Sequence, residues 1–323
     1  MNDIKIGRRV FLGGTGLLAA AAINLARVRL GYADQRVPFS AGTAAPKIKA
    51  PDNACDSHIH IFDPRFPASP HWKGQPPDDA PVEAYRLFQQ RIGTSRVVIV
   101  NPSTYGTDNH ATLDAAARMG AAARAVVVVD LDITDRQLKE MAAQGAVGIR
   151  VNFVSPQSWG VTTAERLETM AKRVSELGWH VQIYATGDQI VELESVLARL
   201  PTRIVIDHLG RLPQPAGVGH PAHRTIRTLL DQGRTWLKLS GAYLNTELGP
   251  PNYADATKVA QAFVQAAPER TVWGSDWPHR GEKEMPDDAT LFDLLSEWAP
   301  NETVRHRILV ENPEALYGFT KSA

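Results

Sequence analysis

Two histidines one residue apart, His58 and His60 in the segment Asn53-Ala54-Cys55-Asp56-Ser57-His58-Ile59-His60-Ile61-Phe62-Asp63, are the first place in this chain where reactive groups are concentrated. Side chains two apart in an extended strand point the same way, so both imidazoles converge at one strand end. Imidazole can bind a divalent metal, polarise a carbonyl or move a proton near neutral pH. Two later apolar runs end in further reactive groups, Ile204-Val205-Ile206-Asp207-His208 and Thr271-Val272-Trp273-Gly274-Ser275-Asp276. An unpaired carboxylate at the end of an apolar strand is costly to bury. Asp276 is therefore expected to face partner histidines or a water that it deprotonates as general base, with His58, His60 and His208 completing the catalytic set.

A second tier of residues points to substrate binding. Arg150 is a guanidinium within a strand, and at the mouth of a barrel it would clamp a substrate carboxylate through two parallel bonds; its structural alternative is an ion pair with Asp130 or Glu247. Arg211 lies three residues past His208 and is expected to act similarly. Tyr184 and Ser103 are hydroxyl donors at strand ends, and Asn152 and His279 are further candidates. His180 begins its strand, at the end of a barrel where catalysis does not occur. His71, His110, His220, His223 and His306 read as loop or helix residues.

These residues need a scaffold that gathers strand ends. Apolar, β-branched runs are expected as strands at Ala54–Ile61, Arg96–Asn101, Ala125–Asp130, Ala146–Phe153, His180–Tyr184, Arg203–His208, Thr235–Ser240 and Arg270–Ser275. Segments of helical period separate them: Val82–Ile92, Asn109–Met119, Thr134–Gln144, Thr163–Glu176, Gly187–Leu200, His223–Gln232 and Ala254–Ala267, with Asp288–Trp298 and Glu302–Glu311 at the end. Strands that are apolar throughout are buried on both faces, which means parallel strands covered by helices. About eight βα units over this length predict one α/β domain, a TIM (β/α)8 barrel over residues 53–320. Chemistry in such a barrel sits at the C-terminal strand ends, where the candidates above fall.

Composition narrows the class further. The 323 residues are 43% hydrophobic and 22% charged, ordinary globular values, with Lys+Arg and Asp+Glu both 35. Without a basic run interleaved with aromatics there is no footprint for nucleic acid. The single cysteine, Cys55, cannot close an internal disulfide and reads as a small buried thiol. At the start, Gly7-Arg8-Arg9-Val10-Phe11-Leu12 places two arginines directly before an apolar stretch, the pattern of a twin-arginine signal peptide over residues 1–33. That stretch is shorter than the roughly 20 residues that span a bilayer. Gly31-Tyr32-Ala33 offers a cleavage point, leaving a mildly acidic mature chain in the periplasm with no stable membrane span and the twin-arginine machinery as its export partner. Residues 34–52, rich in Ala, Pro and Lys without apolar period, read as a flexible leader.

His-x-His on the first strand, His on the sixth and Asp on the eighth resemble the amidohydrolase superfamily. Longer stretches narrow the resemblance: Phe62-Asp63-Pro64, Asn101 to Asn109, Gly148-Ile149-Arg150-Val151-Asn152-Phe153, Gly178-Trp179-His180-Val181-Gln182, Val205 to Arg211, Lys238-Leu239-Ser240-Gly241 and Trp273-Gly274-Ser275-Asp276-Trp277-Pro278-His279. Together, from about Asp56 to Tyr317, these are similar to the 2-pyrone-4,6-dicarboxylate lactonase group, which also contains sugar-acid lactonases and a galactarolactone isomerase. The resemblance implies hydrolysis of a lactone, or its isomerisation by acyl transfer between hydroxyls. It also implies that Asp276 activates water while His58, His60 and His208 bind and polarise the carbonyl, as donors to a developing oxyanion do elsewhere.

Two departures bear on the substrate. Pyrone dicarboxylate lactonases carry an arginine shortly after Arg-x-Asn-Phe, where this chain reads Val154-Ser155-Pro156-Gln157, and another just after the seventh strand, where it reads Ala242-Tyr243-Leu244-Asn245. Fewer cationic clamps imply a lactone with one carboxylate or several hydroxyls. Binuclear relatives need a lysine or glutamate on the fourth strand and a histidine ending the fifth; Arg150, Asn152 and Tyr184 stand there instead. A metal-free site is therefore expected, its alternative being one zinc on His58, His60 and Asp276 with an open position for water. The competing functions are a lactone isomerase, a metal-dependent decarboxylase and a non-catalytic periplasmic solute-binding barrel.

Overall fold

The apolar runs pair into eight parallel strands in sequence order: β1 (Cys55–Ile59), β2 (Arg96–Val100), β3 (Ala123–Val127), β4 (Ala146–Asn152), β5 (His180–Tyr184), β6 (Ile204–Ile206), β7 (Thr235–Leu239) and β8 (Thr271–Trp273). A computed structural model describes residues 36–75, 78–154, 162–280, 282 and 284–321. The sheet closes on itself where the chain beyond β8 runs parallel to β1, with Asp276 N donating to His58 O and His60 N to Trp277 O, both at 2.9 Å. Gly274 permits this closure, because a Cβ there would stand 2.7 Å from the Cβ of His58. The expected (β/α)8 barrel is what forms.

Helices cover the outside, the longer ones mostly burying one stripe. In Pro221–Asp231, for example, Ala222, Thr225, Ile226, Leu229 and Leu230 are buried, the spacing of a single helical face. Proline at its first position and the His220 ring accepting from Ala222 N at 3.3 Å start this helix. The long helix expected over Gly187–Leu200 is instead two, Gly187–Glu192 and Glu194–Arg199, divided at Leu193. Among the described residues no helix is long and apolar enough to cross a membrane.

One irregularity sets the site. Between β1 and β2, Asp56 pairs with Val97 and Ile59 with Ile99, so two residues, Ser57 and His58, stand opposite one. This β-bulge exchanges the faces of the strand. Before it, Cys55 packs inside the barrel with Val98 and Val272, while Asp56 turns outward to the hydroxyl of Tyr85. After it, Ile59 joins the outer core and His58 and His60 point inward.

The expectation of a flexible leader over 34–52 is corrected from Arg36 onward. Val37 and Ser40 are buried, Trp277 Nε1 donates to Pro38 O at 2.9 Å, and the Arg91 guanidinium holds Ser40 Oγ and Ala41 O, each at 2.9 Å. Side chains of the barrel hold this segment mainly by its backbone carbonyls, a mode of attachment that leaves no apolar period in the sequence. The signal-peptide reading of residues 1–33 lies outside the described residues.

Candidate active site

The C-terminal mouth of the barrel opens on a cavity of about 550 Å³ with His60, His208 and Asp276 at its floor and Arg150, Asn152 and Tyr184 on its walls, a size suited to a small molecule. Asp276 and His208, just beyond β8 and β6, enter it through left-handed backbone with φ of +66° and +48°. This conformation costs a non-glycine residue roughly 1–2 kcal/mol and persists where surroundings over-determine it; the Asp276 N–His58 O bond is one such constraint.

The carboxylate of Asp276 is divided between two environments. Oδ1 lies 3.6 Å from His58 Nε2 and 3.8 Å from both His60 Nε2 and His208 Nε2. Oδ2 accepts a 2.7 Å bond from the Tyr243 hydroxyl, whose oxygen is 2.9 Å from His279 Nδ1. His279 Nε2 meets the Asp288 carboxylate at 2.9 and 3.1 Å. Burial pushes Asp276 up to about 6, against the Tyr243 hydrogen bond and the His279 charge. That value lies near the working range of a general base. Burial alone would lower His279, but the adjoining Asp288 carboxylate holds it above the usual imidazole range.

The three histidines are kept neutral. Burial drives His58 and His208 well below the ordinary imidazole value and His60 to about 3, and the positive charge of Arg150 adds to each shift. His60 Nδ1 lies 2.7 Å from Val100 O. A carbonyl only accepts, so Nδ1 carries the proton and Nε2 presents a lone pair. His60 Nε2 is therefore an acceptor, where a carbonyl-polarising donor was expected. His208, with Nδ1 2.9 Å from Ser240 Oγ, keeps Nε2 for the cavity.

The structure gathers most of the expected residues and sets some apart. Arg150 pairs with neither Asp130 nor Glu247: its Nε lies 3.5 Å from Asp207 Oδ2, its guanidinium faces the Tyr184 ring at 5.0 Å, and Nε has no hydrogen-bond acceptor among the described residues. Ser103 and Asn152 line the cavity together, joined by a 3.0 Å bond. His58 is wholly buried behind the floor. Two residues expected to bind substrate are held by protein partners off the cavity lining. Arg211 is not a cavity wall; Asn245 at 2.8 Å and the Tyr184 hydroxyl engage its guanidinium. His279 is fully buried between Tyr243 and Asp288. Both side chains fell at strand ends but found protein partners first.

Five further residues shape the site without having been singled out for a role. Tyr243 and Asp288 support Asp276; Asp207 and Lys238 lie beneath His58; Arg280 lines the cavity, tied to Asp78 at 3.0 Å. The available signals were charges set in apolar runs, Lys238 in Trp236-Leu237-Lys238-Leu239 and Asp207 after Ile204-Val205-Ile206.

The donor set has the spacing for a metal. Ligand atoms of His58, His208 and Asp276 all lie within 4.8 Å of one another, and His60 Nε2 is 3.4 Å from His58 Nε2. His208 thus stands beside the trio expected from sequence, and these residues could hold one divalent ion.

A family profile described as Amidohydrolase matches residues 55–319. The chain is 37% identical over 273 residues to 4-sulfomuconolactone hydrolase of Hydrogenophaga intermedia, covering 83% of this chain and 89% of that one. It is 35% identical over 277 residues to D-galactarolactone isomerase of Agrobacterium fabrum, covering 84% and 94%. An apo crystal structure from Agrobacterium tumefaciens superposes with a TM-score of 0.80 at 34% identity, covering 88% of this chain and 99% of that one.

Proposed function

The chain belongs to the amidohydrolase family, and from that premise we propose that it is a lactone hydrolase acting on a small carboxylated or polyhydroxylated cyclic ester. The observation that carries this reading is the divided carboxylate of Asp276, anchored through Oδ2 by Tyr243 and presenting Oδ1 at the cavity floor. Oδ1 takes a proton from water as the water oxygen attacks the lactone carbonyl. Negative charge gathers on the carbonyl oxygen, beside Arg150 and the Nε2 of His208. The ring C–O bond then breaks, and Asp276 returns the proton to the departing oxygen.

The walls fit such a substrate. Arg150 is placed to take one carboxylate, while Ser103, Thr104 and Asn152 offer partners for hydroxyls. Glu282 on the rim disfavours a second anionic group beside it, while Asp78 is paired with Arg280. A metal held by His58, His208 and Asp276 would polarise the carbonyl as a Lewis acid. We favour chemistry without it, because Lys238, 3.2 Å from His58 Nδ1, already places a positive charge against one of the three ligands. With a substrate hydroxyl in place of water the same geometry would isomerise the lactone, the activity for which one relative is named, and this is the second reading for the present chain.

Product NMR across sugar-acid and muconate-type lactones separates the two readings: an open acid supports hydrolysis, a ring-shifted lactone isomerisation. Binding of every lactone without turnover would defeat both. The Arg8-Arg9 segment supports, in addition, export to the periplasm by the twin-arginine machinery. Fractionation should then show the protein leaving the periplasm when both arginines are changed to lysine.

A further inference from the structure

Lys238 is fully buried in β7, directly beneath the reaction centre, and the reaction as written above gives it nothing to do. Its Nζ lies 2.7 Å from Gln182 Oε1 and 3.2 Å from His58 Nδ1. The Gln182 amide is oriented by its other end, where Nε2 donates to Asp207 Oδ2 at 3.1 Å, so Oε1 is the atom that meets the lysine. An amine has only protons to offer when charged, so Lys238 donates to both neighbours. His58 Nδ1 must then present its lone pair, and the ring proton resides on Nε2. That proton points at His60 Nε2, 3.4 Å away, which is the lone pair left by the bond from His60 Nδ1 to Val100 O. Each bond in the series agrees in direction with the next.

We propose that Lys238 is a positioning residue that orders the histidine pair, forcing His58 to carry its proton on Nε2 and to donate to His60. The ordered pair occupies the lone pair of His60, so neither histidine competes with Asp276 for the proton of water. Asp276 Oδ1 is left as the base at the cavity floor, with the His58 N–H 3.6 Å from it as a favourable dipole. The opposite tautomer has a ready partner: Asp207 Oδ1 is 3.4 Å from His58 Nδ1 and accepts no hydrogen bond among the described residues. Without the lysine, His58 would turn its proton toward Asp207 and set two lone pairs face to face across 3.4 Å. Lys238 therefore decides between two tautomers of nearly equal opportunity.

This role rests on the lactonase reading for its effect on rate, but the tautomer itself does not. The test is made on the full protein carrying nitrogen-labelled histidine, using one-bond and long-range proton–nitrogen correlation spectra, with His58 assigned by its loss in H58Q. The wild-type spectrum is expected to show His58 protonated at Nε2, and Lys238→Met to show the proton at Nδ1. In parallel, kcat of Lys238→Met should fall by a factor of about 10–100, while KM moves by less than about threefold. A wild-type His58 protonated at Nδ1, or a variant spectrum unchanged from wild type, overturns the proposal whatever the enzyme acts on. Should Lys238→Met fail to fold, the wild-type spectrum alone decides it.

Discussion

The two ends of one barrel interior are built on different physics. Toward the N-terminal ends of the strands, Val98, Val126, Val205 and Val272 fill the lumen, and Leu316, Tyr317 and Phe319 close it from below. Toward the C-terminal ends the lumen holds Arg150, Gln182, Asp207, Lys238, His58, His60 and His208, nearly as completely buried. Apolar burial gains free energy in proportion to area and asks for no particular partner. A buried charge gains only when each polar atom is matched. The lower half can therefore be permuted within volume limits, whereas the upper half is a directed network in which one lost donor changes what its neighbours can do.

The sharpest test of that difference is Asp276→Asn, which keeps the shape of the upper half and removes the proposed base. Turnover should fall by about 10³-fold or more with substrate still bound in a titration by calorimetry; near-normal turnover would show that another group is the base. Next comes Tyr243→Phe, which takes one proton from Asp276 Oδ2 and a partner from His279. A drop in kcat of about 10–100-fold is expected for a lost charge-assisted bond, worth roughly 1.5–3 kcal/mol. The variant's pH–rate profile should move to higher pH, because Tyr243 lowers the pKa of Asp276.

The pH profile of the unaltered enzyme is a third measure. Asp276 is active as the carboxylate and is raised to about 6, so kcat/KM should be flat above that value and fall about tenfold per unit below it. An acid limb near 4 would mean that burial does not govern this group. The smallest effect on catalysis should come from the lower half. Phe319→Ala is expected to lower unfolding free energy by about 3 kcal/mol, read from denaturant curves, while kcat stays within about twofold of wild type because no catalytic contact changes. A large kcat loss there would erase the division between the halves.

Legibility follows the same division. The barrel was readable because each strand and helix carries a period of its own, as in β2, Arg96-Val97-Val98-Ile99-Val100. His58 and His60 were readable as a pair facing one way, and they do face one way. That they face inward depends on the bulge at Ser57 and His58, which alternation alone does not signal. Arg211 and His279 were drawn to the cavity by their place at strand ends, yet Tyr184 with Asn245 and Asp288 with Tyr243 engage them first. The segment from Arg36 was hidden because its anchors, Trp277 and Arg91, come from distant parts of the chain.

From the order of its residues alone, this chain commits to a parallel barrel with imidazoles and a carboxylate at the strand ends, because strand formation, alternation and helix amphipathicity are interactions between near neighbours. Which nitrogen of His58 holds a proton, which oxygen of Asp276 faces the cavity and which arginine stays available for substrate were decided only when Lys238, Tyr243 and Asp207 arrived from other strands and loops. Hydrogen bonds have direction, and a direction is set by both partners. For these residues the partner lies far away along the polypeptide, so no local pattern records it.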